Sequence, residues 1–311
     1  MLKKIILNIT IVVLVVFILD FAIGKILNHF YFNESSGLHY RTTYALEKTT
    51  ADVLIFGASR ANHHYVPEVF ENSLNLSYYN TGRDGNGIFY QLAVLKSVLK
   101  RYTPKILVLD FVGSFEKNEK PYDRLSSLLP YYKNHKEIQE IIELRSPYEK
   151  IKLLSRIYPY NSQLTSIAVG NLEVNKKRKN DNKGYVSLNG KWASKIDSID
   201  KITTNNLDTI QLNALQEFVH LAKKSEANVY VIFSPIFFKF KKNENFDICN
   251  RICAIENVPF WDYSKDTTFL NNKQLFQDPD HLNHNGATIF SNKVVTRIKN
   301  KMNKSAISEE N

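Results

Sequence analysis

The stretch DVLIFGASRANHHY, Asp52 to Tyr65, constrains the fold more than any other part of the chain. Val53, Leu54, Ile55 and Phe56 are apolar without alternation, the pattern of a strand covered on both faces of a parallel sheet, and Gly57-Ala58 then let the backbone turn tightly into a polar helix start. Ser59 stands at that turn. Its side chain is thereby expected at the carboxyl end of the strand, where open α/β sheets bind their ligands, and its N–H at a helix N-terminus, which favours developing negative charge. Ser is equally a favoured N-cap, so these residues alone also admit a purely structural role.

A second stretch, FQDPDHLNHNGATIF from Phe276 to Phe290, supplies what a nucleophilic serine needs. Asp278 precedes His281 by three residues, so one short loop can present an imidazole together with the carboxylate that orients it. His281 and His284 with Asp278 and Asp280 also admit a metal reading, but the spacing is not that of a helical H-E-x-x-H site. His63 and His64, one helical turn past Ser59, either line the same cleft or sit inert beside it.

At these two stretches the chain resembles the SGNH/GDSL hydrolase superfamily. Gly57-Ala58-Ser59 match the family's first block, a Gly-x-Ser at the end of the first strand. Asp278, His281, Leu282, Asn283 and Gly286 match every defined position of its last block, D-x-x-H-L-N-x-x-G. The resemblance implies Ser59 as nucleophile, His281 as base and Asp278 as the carboxylate behind it, with neither metal nor cofactor. An ordinary α/β-hydrolase is excluded, because its elbow is G-x-S-x-G with acid and histidine on separate loops, whereas the elbow here is G-A-S-R-A. The second block is implied in LSYYNTGRDGNGI, where counting from Asn80 puts Gly85 at the position of the oxyanion-hole glycine. The third block, G-x-N-D, is not matched. After KILVLDF the chain reads Val112-Gly113-Ser114-Phe115, so Ser114 occupies the asparagine position and no aspartate follows. The implied oxyanion hole is Ser59, Gly85 and Ser114, and loss of the asparagine donor is worth on the order of a hundredfold or more in rate unless another group replaces it.

The 311 residues, 43% hydrophobic and 12% aromatic, suffice for one α/β domain with an insertion and exclude a disordered chain. After Ser59 a helix is expected to about Ser73, then a strand from Leu74 to Asn80, a helix from Ile88 to Tyr102 and the strand Lys105 to Phe111. Later, helix Asn205 to Ser225, strand Asn228 to Pro235, a helix near Phe246 to Asn257, the short strand VPFWDY and a helix from His284 to about Met302 complete the pattern. The expected fold is thus α/β, a three-layer α/β/α sandwich around a five-stranded parallel, flavodoxin-like sheet in the order 2-1-3-4-5, which is also the family's arrangement. It occupies residues 51–300, followed by a polar tail at 301–311. Residues 116–199 interrupt it with Lys, Tyr, Asn and Ser and two or three amphipathic helices, read as an insertion over the carboxyl edge of the sheet. The run Lys176 to Lys179 reads as a solvated loop, and Gly184 and Gly190 mark a turn or small hairpin. Cys249 and Cys253, four apart on a helix, read as free thiols.

Residues 1–25 form a separate element. Lys3-Lys4 precede a nearly unbroken apolar run from Ile5 to Ile23, long enough to cross a bilayer, and the lysines place the N-terminus in the cytoplasm and the main domain outside it. A cleaved signal peptide ending near Ala22-Ile23-Gly24 is the competing reading. Residues 26–50 are expected as a stalk. A net charge of +10 without a nucleic-acid motif, on an exported domain, points to anionic envelope polymers or lipid head groups instead of nucleic acid. The chain also looks like membrane-anchored proteins of envelope polymer acylation, such as those of alginate O-acetylation and teichoic acid D-alanylation. The function implied is a serine esterase or O-acyltransferase acting on acyl, including acetyl, esters of envelope glycans or lipids. The rival is a non-catalytic envelope protein that keeps the fold and binds glycan or a partner in the same cleft.

Overall fold

A computed structural model of the chain describes residues 1–172, 181–192, 206–237, 244–270 and 272–309. The basic run Lys176 to Lys179 and all of 193–205 lie outside the described residues. The chain divides into two compact units, one of Met1–Thr43 with Tyr122–Lys179 and the other of Tyr44–Pro121 with Asn180–Asn311.

The first unit is helical. Leu2–Phe32 is one helix whose most apolar stretch has a mean hydropathy of 2.8 and none of it buried, so by length and composition it can cross a membrane. Residues 26–43 are no extended stalk. The helix continues to Phe32, a second helix covers Gly37–Thr43, and Tyr31, His39 and Thr43 are buried. The aromatic character of this stretch explains the difference: Tyr31 stacks on His39 at 4.5 Å and meets Tyr131 edge-on at 5.9 Å. Such rings gain more by packing than by exposure. In place of the two or three amphipathic helices expected, the insertion is a series of shorter helical segments, among them Arg124–Tyr131, Gln139–Glu143, Glu149–Lys152 and Leu164–Asn171. Pro130, Pro147 and Pro159 punctuate the segment, and each removes a backbone donor a longer helix needs.

The second unit carries the sheet. Its strands are β1 (Val53–Phe56), β2 (Tyr78–Asn80), β3 (Ile106–Asp110), the short pair β4 (Asp181–Asn182) and β5 (Tyr185–Val186), then β6 (Asn228–Phe233) and β7 (Phe260–Asp262). β2-β1-β3-β6-β7 form one sheet, parallel throughout, in the order expected. All of Val53 to Phe56 are fully buried, as an uninterrupted apolar run demands. Alternate residues divide between the faces. Val53, Ile55, Val108 and Ile232 join a core with Phe290, Val294 and Ile298 of the His284–Glu309 helix, while Phe56 meets Phe218 of the Thr209–Lys224 helix at 5.2 Å. The single helix expected after Ser59 is two, Ser59–His64 and Pro67–Leu74, because Pro67 cannot continue the first and readily starts the second. The second runs through Leu74 and so shortens β2. β4 and β5 are the expected hairpin, with Lys183 and Gly184 both at positive φ in the turn. The last helix passes Met302 and reaches Glu309, no Gly or Pro standing in its way.

Candidate active site

β1 ends at Phe56, and the turn after it is built around Gly57, whose φ is +148°. A Cβ there would lie 2.7 Å from the Ala61 Cβ and 3.0 Å from the Asp110 Cβ, so only glycine fits between β1, β3 and the following helix. The Gly57 carbonyl accepts from Gln91 Nε2 at 2.6 Å and from the Arg83 N–H at 3.1 Å, which pins the turn. Ala58, not Ser59, is the N-cap, and Ser59 is the first residue of the helix. Its hydroxyl is therefore free of a capping role, and Oγ lies 2.7 Å from His281 Nε2. Ser59 N–H lies in the first turn, where a helix offers no internal acceptor.

The loop that brings His281 is equally determined by its residues. Asp278 Oδ1 accepts the N–H groups of Asp280 (2.9 Å) and His281 (3.0 Å), folding the loop back on itself. Both carboxylate oxygens also lie 2.9 Å from His281 Nδ1. Asn283 caps the last helix, its Oδ1 accepting from Gly286 N–H at 3.1 Å, while its Nδ2 donates to the Gln274 carbonyl at 2.7 Å. Gly286 is needed because a Cβ would stand 2.2 Å from the Leu275 carbonyl oxygen. Leu282 is fully buried. Each matched position of this stretch thus has its own structural or chemical task, and Ser59, His281 and Asp278 form one hydrogen-bonded chain across 222 residues of sequence.

A cavity of about 220 Å³ opens beside Ser59 and His281, lined also by Arg60, Asp110, Val112, Phe233 and Ile236. Gly85 and Ser114 are not among its lining residues. Gly85 sits in an exposed turn at φ +70°, and Ser114 follows Gly113, which packs against Phe233 and Phe246.

Arg60 and Asp110 line the cavity, and the sequence reading does not include them. The Arg60 guanidinium donates to the Phe111 carbonyl at 2.5 Å, lies 3.5 Å from Asp110 Oδ1 and stacks 4.3 Å over the Phe233 ring. Tyr65 OH donates to Asp110 Oδ2 at 2.7 Å. Burial raises Asp110 above the ordinary carboxylate range, with Arg60 pulling in the other direction, and it holds the Tyr65 phenol well above its usual range. One signal was available: Asp110 is the lone charge ending an otherwise apolar strand, at the ligand-binding edge. His63 and His64 are buried, not inert surface residues. His63 Nδ1 donates to the Val186 carbonyl at 2.7 Å, its ring edge-on to His281 at 5.6 Å. His64 is held well below the usual imidazole range by burial, and then by the nearby His281, Arg60 and His63. His284 meets Tyr185 OH at 3.0 Å, and no group of three His, Cys, Asp or Glu among the described residues is placed to hold a metal. Cys249 and Cys253 are buried free thiols.

No protein-family model matches the chain, and no curated protein matches it.

Proposed function

We propose that this protein is a serine acyl-ester hydrolase or O-acyltransferase of the SGNH type, with a three-layer, flavodoxin-like domain anchored to a membrane by its first helix and facing away from the cytoplasm. The observation that carries the reading is the continuous chain from Ser59 Oγ through His281 to the Asp278 carboxylate, open to a cavity of acyl-ester size. Nδ1–H of His281 is committed to Asp278, which leaves Nε2 as the acceptor facing Ser59. Ser59 Oγ then attacks the ester carbonyl carbon while its proton passes to His281 Nε2, and Asp278 stabilises the imidazolium. The alcohol departs with that proton. Water, or the hydroxyl of an acceptor sugar, next gives its proton to Nε2 as it attacks the acyl-Ser59 carbonyl, and Ser59 Oγ leaves with that proton as its bond to the acyl carbon breaks. The negative charge on the tetrahedral oxygen falls to the Ser59 N–H, with Arg60 in the cavity wall as a positively charged neighbour. The substrates in this reading are acylated, including acetylated, envelope glycans or lipids.

Labelling of the full-length protein with a fluorophosphonate tests the reading. Covalent modification at Ser59, absent in Ser59→Ala, is the expected result. A folded parent that takes no label would overturn it in favour of a protein that binds glycan or a partner in the same cleft without reacting.

A further inference from the structure

The segment from Tyr148 to Ile157 in the helical unit has an unusual surface. Its backbone bonds mix four-residue and three-residue kinds: Lys152 and Leu153 donate to the Tyr148 and Glu149 carbonyls at 3.0 and 2.9 Å, and Ile151, Leu154 and Ser155 to those of Tyr148, Ile151 and Lys152 at 3.1, 3.1 and 3.2 Å. The three-residue turns bring side chains three apart into register, so Tyr148, Ile151 and Leu154 share one edge. They are 66%, 66% and 75% exposed, whereas Glu149 and Leu153 between them are buried. The three positions of this row are thus turned outward while Glu149 and Leu153 hold the segment to the fold.

Where this row ends is informative. Directly after Leu154, Ser155 Oγ and the N–H groups of Arg156 and Ile157 donate to the Asp20 carboxylate at 2.5, 2.7 and 3.3 Å. Gly24 approaches so closely that a Cβ would lie 2.3 Å from the Arg156 Cβ. Asp20 is the first carboxylate of the Leu2–Phe32 helix, and every residue before it is exposed. Leu2 to Leu19, with Lys3 and Lys4 at its outer end, rises about 27 Å at 1.5 Å per residue, close to the roughly 30 Å of a bilayer's hydrocarbon core. The apolar row therefore stands level with the end of the bare apolar span. Its basic neighbours fit the same place. Lys150 and Lys152 flank Ile151, paired with Glu143 at 3.1 Å and Glu149 at 3.4 Å, and Arg156 lies 5.8 Å over the ring of Phe21.

On the reading that the first helix is a membrane anchor, we propose that the Tyr148–Ile151–Leu154 row is a second membrane contact, seated among the head groups of an anionic phospholipid leaflet. Tyr is suited to that level, with an apolar ring and a polar tip, and Ile151 and Leu154 reach the acyl boundary while Lys150, Lys152 and Arg156 meet lipid phosphates. The Asp20 bonds then mark the lipid–water boundary. Residues 20–32 stand above it as part of the helical unit, which is held at the surface by two contacts instead of swinging on one.

Depth-dependent quenching tests this in the full-length chain reconstituted into vesicles of phosphatidylcholine with phosphatidylglycerol. Tyr148→Trp and Val13→Trp are compared with the parent, whose Trp192 and Trp261 supply the background emission. Lipids brominated near the head group are expected to quench the Tyr148→Trp increment most strongly, and lipids brominated deep in the chains the Val13→Trp increment. Adding Ile151→Asp and Leu154→Asp, both at exposed positions, is expected to abolish the first effect and leave the second. Quenching at 13 without quenching at 148 overturns the surface contact and leaves the anchor standing; the same pattern with self-association of the chain assigns the row to a second copy. Quenching at neither position removes the anchor and this proposal together. Equal quenching at 148 in vesicles lacking phosphatidylglycerol overturns the role of the basic residues.

Discussion

His64 Nε2 accepts the backbone N–H of Leu282 at 2.9 Å, so the last residue of the helix that opens with Ser59 holds the loop that carries His281. The bond settles the tautomer. With Nε2 an acceptor, Nδ1 carries the proton and donates to Ser234 Oγ at 3.1 Å. His64→Ala strands the Leu282 N–H in a fully buried place, with an expected loss of about 1–3 kcal/mol for that donor alone. Because the loop slackens, kcat should fall more than KM changes. His64→Gln, which offers an oxygen near the Nε2 position, should recover part of both. Thermal unfolding and ester turnover of the three proteins check this, and equal behaviour of the Ala and Gln variants would remove the bond as the cause.

The same histidine makes stability depend on pH. Its folded pKa lies below the unfolded value, so its contribution is intact above about 6.5 and declines as the pH falls from there toward the folded pKa. The slope for one such group approaches about 1.4 kcal/mol per pH unit. Asp110 acts with the opposite sign, its raised pKa giving a contribution that is full below the usual carboxylate range and is lost as the pH rises through the folded value. Unfolding by urea between pH 8 and pH 5.5 or so should therefore show a steeper acid-side decline for the parent than for His64→Gln, which lacks the imidazole and keeps the Asp110 dependence. Parallel curves would show that His64 titrates in the fold as it does in the unfolded chain.

Ser59→Ala and His281→Ala are each expected to abolish turnover of short-chain aryl esters while leaving the protein folded. Asp278→Asn should cost up to about four orders of magnitude in kcat, because an amide cannot stabilise the imidazolium and favours the wrong tautomer. A rate unchanged in either alanine variant removes that residue from the mechanism.

Much of this was readable in the residues, and for physical reasons. The unbroken apolar runs of β1, β3 and β6 can be satisfied only inside a sheet covered on both faces, and the D-x-x-H-L-N-x-x-G stretch carries within itself the bonds from Asp278 to His281 and from Asn283 to Gly286. What stayed hidden depends on distant partners. Nothing near Arg60 in sequence announces the Phe233 ring or the Phe111 carbonyl, and nothing near Tyr31 announces Tyr131. Counting from Asn80 to Gly85 fixes no loop path, and Gly85 stands in an exposed turn whose Asp84 carboxylate reaches Asn62 and His63.

Gly286→Ala should be costly although the change is one methyl group. The added carbon meets a backbone oxygen, which cannot rotate away as a side chain can, at 2.2 Å. Relief requires moving either Leu275 or the first turn of the last helix, and overpacking of this kind costs about 1–3 kcal/mol. Since Asn283 both caps that helix and holds the Gln274 carbonyl, the strain is transmitted to His281 two residues before it. A lower midpoint in urea with a reduced kcat is expected; a parent-like midpoint would mean that the loop yields freely.

Ser114 does not line the cavity beside Ser59, and Arg60 does. Ser114→Ala should therefore leave kcat within about twofold of the parent, far short of the hundredfold or more that follows loss of an oxyanion donor. Arg60→Lys keeps a positive charge, but an ammonium cannot reproduce the planar stack on Phe233 together with the bonds to the Phe111 carbonyl and Asp110. The charge is then displaced from the cavity wall. A fall in kcat of about tenfold or more with little change in KM is expected, since a group that acts on the developing oxyanion acts on the transition state and not on the bound ester. The reverse pattern, a large loss in Ser114→Ala and none in Arg60→Lys, would return the donor to the loop after β3 and require that loop to close over the cavity when substrate binds.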